Sequence, residues 1–215
     1  MRAFPLILSA PSGGGKTTIA RELLRRRPDL GYSVSCTTRA PREGERNGAD
    51  YTFISRDEFV SRRSNGEFAE SAEVHGELYG TLRNEVDRIL KSGRHVVMDI
   101  DVQGTRQFAA AYPDAVLVFL LPPNPEVLVE RLRARGTETT AELARRLRNA
   151  IGEVQSVGLY HYVVVNDDLE RAVKAVSGIV DAETARTGRS AGLSDHVGRL
   201  VAGLEREIEA IEGRS

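Results

Sequence analysis

Residues 5–10 (PLILSA) are a short, unbroken apolar run stopped by a glycine cluster, which predicts a strand buried on both faces. Beyond the glycines, Ile19, Ala20, Leu23 and Leu24 recur at the three-to-four spacing of a helix face. Pro28 ends that pattern, so a helix is expected from Lys16. Further apolar runs at 95–99, 115–121 and 162–165 predict buried strands. Helical periodicity at 84–91, 125–133, 139–157 and 170–185 surrounds them, and the alternation predicts an α/β fold with a parallel sheet covered by helices on both faces.

Two segments stand outside this alternation. The polar stretch 33–81 has turns at Pro41-Arg42-Glu43-Gly44 and Asn47-Gly48, followed by the β-like run 51–54, and reads as an inserted lobe. After a glycine and serine break at 188–192, Leu193, Val197, Leu200, Leu204, Ile208 and Ile211 form one stripe of a final helix. That stripe is expected to pack on its own domain or on a second copy in a homo-oligomer, and Gly198 and Gly203 argue against a long coiled coil. The expected division is a core of 1–34, 82–124 and 158–185, a lobe at 35–81, a helical segment at 125–157 and a tail at 186–215.

Composition changes this picture little. With 215 residues, 40% hydrophobic, the chain is long enough for a sizeable core. A formal net charge of -1 gives no global attraction to nucleic acid or an anionic membrane, so neither is expected as a partner and any phosphate must be met by local clusters of cations. Lysine occurs only at 16, 91 and 174 among the 30 basic residues, which singles out Lys16. The single cysteine, Cys36, excludes an internal disulfide, and the four histidines His75, His95, His161 and His196 are scattered. The apolar run near the N-terminus is too short for a signal sequence or a membrane span, so a cytoplasmic setting is expected.

The candidate chemistry starts at Ala10-Pro11-Ser12-Gly13-Gly14-Gly15-Lys16-Thr17, which follows a strand and opens a helix. It fits GxxxxGK[ST] except that Ala10 stands at the first glycine, and predicts a P-loop NTPase-type fold. In such a turn backbone N–H groups surround the phosphates, the lysine reaches the β and γ positions, and the threonine hydroxyl can bind Mg²⁺. ATP or GTP is thus the expected ligand, but the turn alone separates neither a kinase from a GTPase nor either from an ATPase or a sulfate-handling enzyme.

The lobe is more specific. Ser35-Cys36-Thr37-Thr38-Arg39-Ala40-Pro41-Arg42-Glu43-Gly44-Glu45 and Asn47-Gly48-Ala49-Asp50-Tyr51 resemble the acceptor lobe of the guanylate kinase family, STTR-x-PR-x-GE-x-NG-x-DY-x-F, with Cys36 in place of a serine-like position. The resemblance continues at 66–70, 79–81, 99–104, 135–138 and 165–168, and covers roughly 4–180. Arg39 and Arg42 are three apart, close enough in a turn to fork onto one phosphate, and Tyr51 and Tyr79 offer hydroxyls.

The resemblance assigns Arg39, Arg42, Tyr51 and Tyr79 to the GMP phosphate, and Ser35, Glu70 and Thr81, with Asp101 nearby, to the guanine. It makes 125–157 a lid whose Arg131, Arg135 and Arg146 join Lys16 and Arg39 in catalysis, Asp99 a Mg²⁺ partner through water, and Asn166 and Asp167 contacts on the ATP side. The implied activity is ATP-dependent phosphorylation of GMP, with dGMP as a second acceptor. Two rivals remain at this level: a non-catalytic binding module of the same fold, and a kinase for another small phosphate such as a ribose bisphosphate. Lys16, Thr17, Asp99 and Asp101 count against the first, and Ser35, Glu70 and Thr81 against the second.

Overall fold

In the computed structural model, whose described residues are 2–74, 76–134 and 139–213, the chain opens with the fully buried β1 (Pro5–Ser9), a turn, and α1 (Lys16–Arg26). β2 (Leu30–Tyr32) follows, and then a second unit: β3 (Cys36–Thr37), β4 (Thr52–Phe53), α2 (Arg56–Ser64), β5 (Phe68–Val74) and β6 (Glu77–Leu82). The chain returns to the first unit with α3 (Arg83–Lys91), β7 (His95–Asp99), α4 (Val102–Ala111) and β8 (Val116–Leu121). α5 (Pro125–Arg133) and α6 (Thr140–Gln155) lead to β9 (Tyr162–Val165), α7 (Leu169–Thr184) and α8 (Leu193–Glu212).

The main sheet has the order β2-β7-β1-β8-β9 with every pairing parallel. Alternation along its strands makes two cores. Leu6, Leu8, Val97, Val118 and Leu120 face α1 and α7, where Ile19, Leu23, Val173 and Val176 meet them. Ile7, Val96, Met98 and Leu117 face α3 and α4, against Val86, Ile89 and Phe108. Period two in the strands and 3.6 in the helices thus close one three-layer body, and β1 at its centre delivers its C-terminal turn to the crevice beyond the strand ends.

The smaller sheet, β4-β3-β6-β5, is mixed: β3 pairs parallel with β4, and β6 is antiparallel to both β3 and β5. Its core is the stacked pair Phe59 and Phe68 with Cys36, Leu78 and Leu82. The Cys36 thiol is fully buried, and burial pushes its pKa up to about 11, so it behaves as a small apolar residue.

Four features differ from the sequence expectations, the first being β2, an edge strand of the main sheet whose three residues, with Gly31 at the centre, form no apolar run. α4 and α2 were not expected as helices, and β5–β6 forms a longer hairpin than the short β-like run suggested. The terminal helix spans Leu193–Glu212, but none of its residues is buried, so it does not pack its stripe on its own domain; Leu200, Leu204 and Ile208 are all more than half exposed. Among the described residues no helix is long and apolar enough to cross a membrane.

Candidate active site

The end of α1 that meets the turn has no side-chain cap, a condition it shares with α3 and α8. α2, α4, α5, α6 and α7 are each capped by a side chain, from Ser55, Asp101, Asn124, Thr139 and Asp168. The N-cap of α1 is Gly15, at φ 92°, which leaves the helix's first amides to a ligand. Gly13, at φ 84°, also needs the left-handed region. A Cβ on Gly14 would stand 2.5 Å from the Ala10 Cβ and 2.9 Å from the Pro11 carbonyl oxygen, so glycine at 14 makes room for the alanine at 10.

Other elements hold the turn in place. Gly13 lies against Leu128 and Leu132 of α5, and Asn166 Nδ2 donates to the Gly14 carbonyl at 2.8 Å. Lys16 Nζ donates to the Ala10 carbonyl at 2.9 Å, folding the side chain back over the loop. From α6, Arg146 Nη2 donates to Ser12 Oγ at 2.8 Å, and Glu153 Oε2 accepts from the Ser12 N–H at 3.1 Å. Arg131 Nη2 donates to the Asn166 carbonyl at 3.0 Å, while its Nη1 is buried without a hydrogen-bond partner. A buried, unpaired guanidinium N–H is a costly donor unless an anion arrives to take it.

Thr17 Oγ1 donates to Asp99 Oδ2 at 2.7 Å, and Tyr32 Oη donates to Asp99 Oδ1 at 2.8 Å. This hydroxyl and carboxylate pair suits a hard dication that takes oxygen ligands and keeps much of its water. Among the described residues no three His, Cys, Asp or Glu side chains converge as a metal cage. A Mg²⁺ here would therefore depend on the phosphates it accompanies.

The residues expected on the guanine side are brought together by β5, β6, the start of α4 and the chain just before β3. Glu70 is 7% exposed, and its Oε1 accepts from Thr81 Oγ1 at 2.7 Å. Its Oε2 faces Gly104 so closely that a Cβ there would lie 2.7 Å away. Burial, opposed by the Thr81 hydrogen bond, pushes the Glu70 pKa up to about 7. Ser35 Oγ lies 3.3 Å from Thr81 Oγ1; because Thr81 spends its only hydroxyl proton on Glu70, Ser35 is the donor of that pair. Asp101 caps α4 by accepting from the Gly104 N–H at 2.7 Å.

Arg39 is held bidentately by Glu45, at 2.9 and 3.0 Å, and its Nε donates to Tyr79 Oη at 3.3 Å. Its guanidinium lies 5.5 Å from the centre of the Tyr51 ring, which meets Tyr79 edge-on. Arg42 is exposed and lines a cleft of about 740 Å³ together with Gly13, Lys16, Thr17, Asp101 and Arg146. The turn and Arg42 of the smaller unit therefore open into one space.

Of the residues singled out in the sequence, Ala10 to Thr17, Arg131, Arg146 and Asn166 cluster at the turn, and Ser35, Glu70, Thr81 and Asp101 at the pocket. Arg39, Arg42, Tyr51 and Tyr79 lie in the smaller unit, and Asp99 stands beside Thr17. Asn166 is 6% exposed and braces the turn from beneath, while Asp167 is exposed and pairs with Arg171. Arg135 lies outside the described residues. Sequence reasoning missed Glu153, Tyr32, Gly104 as a close-contact position, and Glu45 as the partner of Arg39. Only the last two had a signal, since both belong to motif segments.

A family model described as guanylate kinase matches residues 2–183. Similar proteins include the guanylate kinase of Symbiobacterium thermophilum, 48% identical over 185 residues that cover 86% of this chain and 88% of that protein. Another is the guanylate kinase of Paramagnetospirillum magneticum, 46% identical over 203 residues, or 94% and 95%. The crystal structure of guanylate kinase from Anaplasma phagocytophilum superimposes with a TM-score of 0.74 at 36% identity, covering 90% of this chain and 92% of that one. α8 lies beyond the matched segment.

Proposed function

The chain belongs to the guanylate kinase family, and from that premise we propose that it transfers the γ-phosphoryl group of ATP to GMP, and to dGMP, giving ADP and the nucleoside diphosphate. The observation that carries the acceptor is the buried Glu70 carboxylate, oriented by Thr81 and packed under Gly104. Guanine presents N1–H and N2–H₂ donors to such a carboxylate, whereas adenine presents a lone pair at N1 and no 2-amine. The same pocket disfavours a ribose bisphosphate, which has no base to pair.

In this reading Arg39, Arg42, Tyr51 and Tyr79 hold the GMP phosphate. Its oxygen attacks the γ-phosphorus as the bond to the β–γ bridging oxygen breaks, and no general base is needed because the attacking oxygen is already an anion near neutral pH. The turn, Lys16, Arg131 and Arg146 stabilise the charge that moves from acceptor to ADP, with Arg135 assigned to the same task and 125–157 acting as the lid. Mg²⁺, held through Thr17 and by Asp99 through water, would supply charge neutralisation on the ATP phosphates. Asn166 and Asp167 belong to the ATP side, where Asn166 acts by bracing Gly14. A second copy of the chain is our proposed cover for the exposed stripe of α8, and analytical ultracentrifugation with and without residues 193–215 tests it: a monomer in both cases would sink that contact.

The activity is tested by ADP release with ATP, Mg²⁺ and a panel of monophosphates. GMP is expected to be used far better than AMP, CMP or UMP, and equal use would break the guanine assignment.

A further inference from the structure

Helix α6 grips the phosphate turn through one residue from two sides. Arg146 reaches the Ser12 hydroxyl at 2.8 Å, and Glu153 accepts from the Ser12 backbone N–H at 3.1 Å. The two side chains are seven positions apart, two turns of helix, so they share a face and are separated by about 10 Å along the axis. Two contacts at that spacing fix the direction of a helix against a loop, whereas one would leave it free to pivot.

Glu153 is the unexpected member. It is a half-buried carboxylate beside a loop built for anions, with Lys16 and Asp101 as its charged neighbours, and it lines the cleft on the side of α6. An acid here has no part in binding a nucleotide triphosphate, which it would repel. Its hydrogen bond to a main-chain amide has another use: the amide belongs to the rigid turn, so the bond ties α6 to the element that locates the phosphates. The apolar contact that holds α6 otherwise, Leu143, Leu147 and Ala150 against Leu128 and Leu132, joins it to α5 and not to Ser12.

We infer that Glu153 is a positioning residue for phosphoryl transfer: by anchoring α6 on the Ser12 N–H it sets where Arg146 stands over the transferring group. The inference rests on the proposed role of Arg146. A misplacement of about 1 Å can cost on the order of 10²-fold in rate, and that scale sets the expectation.

The test is a double-mutant cycle read in kcat and KM. Glu153→Ala should lower kcat by about 10- to 100-fold, with KM for GMP within about twofold because Glu153 shares the cleft with Arg42 and Asp101 but bonds to the Ser12 N–H and to none of the residues proposed to hold GMP. Glu153→Gln keeps an acceptor oxygen for the amide and should restore kcat to within about threefold of the parent. In an Arg146→Ala background, Glu153→Ala should cost less than about twofold more, since the residue it positions is gone. Thermal unfolding of each variant reports whether the fold survives. Parental kcat in Glu153→Ala, equal loss in the Gln and Ala variants, or additive losses in the double variant would each overturn the inference. So would a lower KM for ATP with kcat unchanged, which would make the carboxylate a competitor of phosphate. If Arg146→Ala itself keeps parental kcat, the reading of Arg146 fails and takes this one with it; an impaired Arg146→Ala with additive behaviour sinks only the anchoring role.

Discussion

The turn proposed for the donor is made of backbone and the pocket proposed for the acceptor of side chains, although in our reading both hold parts of a nucleotide. At residues 10–17 the geometry comes from Gly13 and Gly15 in the left-handed region and from an α1 end with no side-chain cap. In the pocket, Glu70, Thr81 and Ser35 form a hydrogen-bonded chain of side chains, and Arg39 is set by Glu45 and Tyr79. A backbone device recognises what every triphosphate has in common, and a side-chain device can tell one base from another. The two should therefore fail in different ways when altered.

The largest effect is expected at the cationic side chain that the turn itself carries. Lys16→Ala should reduce kcat by about 10³-fold or more, as loss of a charge-stabilising donor in a site without a general base predicts. The loss should be similar for every acceptor tested, with GMP binding by calorimetry nearly unchanged. A Lys16 variant that lost GMP binding in proportion to turnover would erase the separation between the two regions.

Glu70→Ala should do the reverse. Loss of two hydrogen bonds to a carboxylate removes roughly 3 to 6 kcal/mol at most, so kcat/KM for GMP is expected to fall by about 10² or more. The preference for GMP over IMP, which lacks the 2-amine, should shrink with it, while turnover-independent ATP binding stays as in the parent. Unchanged GMP over IMP selectivity would show that the carboxylate does not read the 2-amine.

The same contrast explains what the sequence could disclose. The turn is eight consecutive residues between a strand and a helix, and its meaning survives the alanine at position 10 because Gly14 leaves the space that a Cβ would fill. Four of the five main-sheet strands were legible because they are short unbroken apolar runs; β2 was not, since its three residues include Gly31. α2 was not, because Phe59 is its only buried residue and leaves no periodic face. α4 was hidden by Gly104 in its first turn, a poor helix former retained where the helix passes over Glu70. The pocket itself joins residues from 35 to 104, and its motif was readable only as a resemblance. Pairings such as Glu153 with Ser12 or Tyr32 with Asp99 exist only once distant segments meet, so no local pattern announces them.

Protonation offers a milder way to separate the regions. Burial raises the Glu70 pKa from 4.5 to about 7 in the ligand-free protein, so the native state holds a proton that the unfolded chain has released above 4.5. That contribution to stability is complete below 4.5 and is lost as pH rises through 7. GMP needs the ionised form, so binding should expel a proton near neutrality, and affinity should weaken by roughly tenfold between pH 7.5 and 6. Calorimetry in buffers of different ionisation enthalpy measures the proton directly. Glu70→Gln should abolish this part of the release and leave only the titration of the GMP phosphate; equal release in parent and variant would place the ionisation elsewhere.

The smallest expected effect lies at Ser35, and it follows from counting protons in the chain. Thr81 has one hydroxyl hydrogen and gives it to Glu70 at 2.7 Å, so it cannot also donate to the guanine O6. Ser35 can, because its bond to Thr81 is long, at 3.3 Å, and can be exchanged for a shorter one to the base. Ser35→Ala then loses one neutral hydrogen bond to substrate, about 0.5 to 1.5 kcal/mol, or roughly a 2- to 13-fold fall in kcat/KM for GMP. The Thr81 bond to Glu70 does not depend on Ser35, so the preference for GMP over IMP should persist in this variant although it shrinks in Glu70→Ala. If Ser35→Ala also levelled GMP and IMP, the chain would be acting as one cooperative unit, and the assignment of separate base edges to Ser35 and Glu70 would have to be given up.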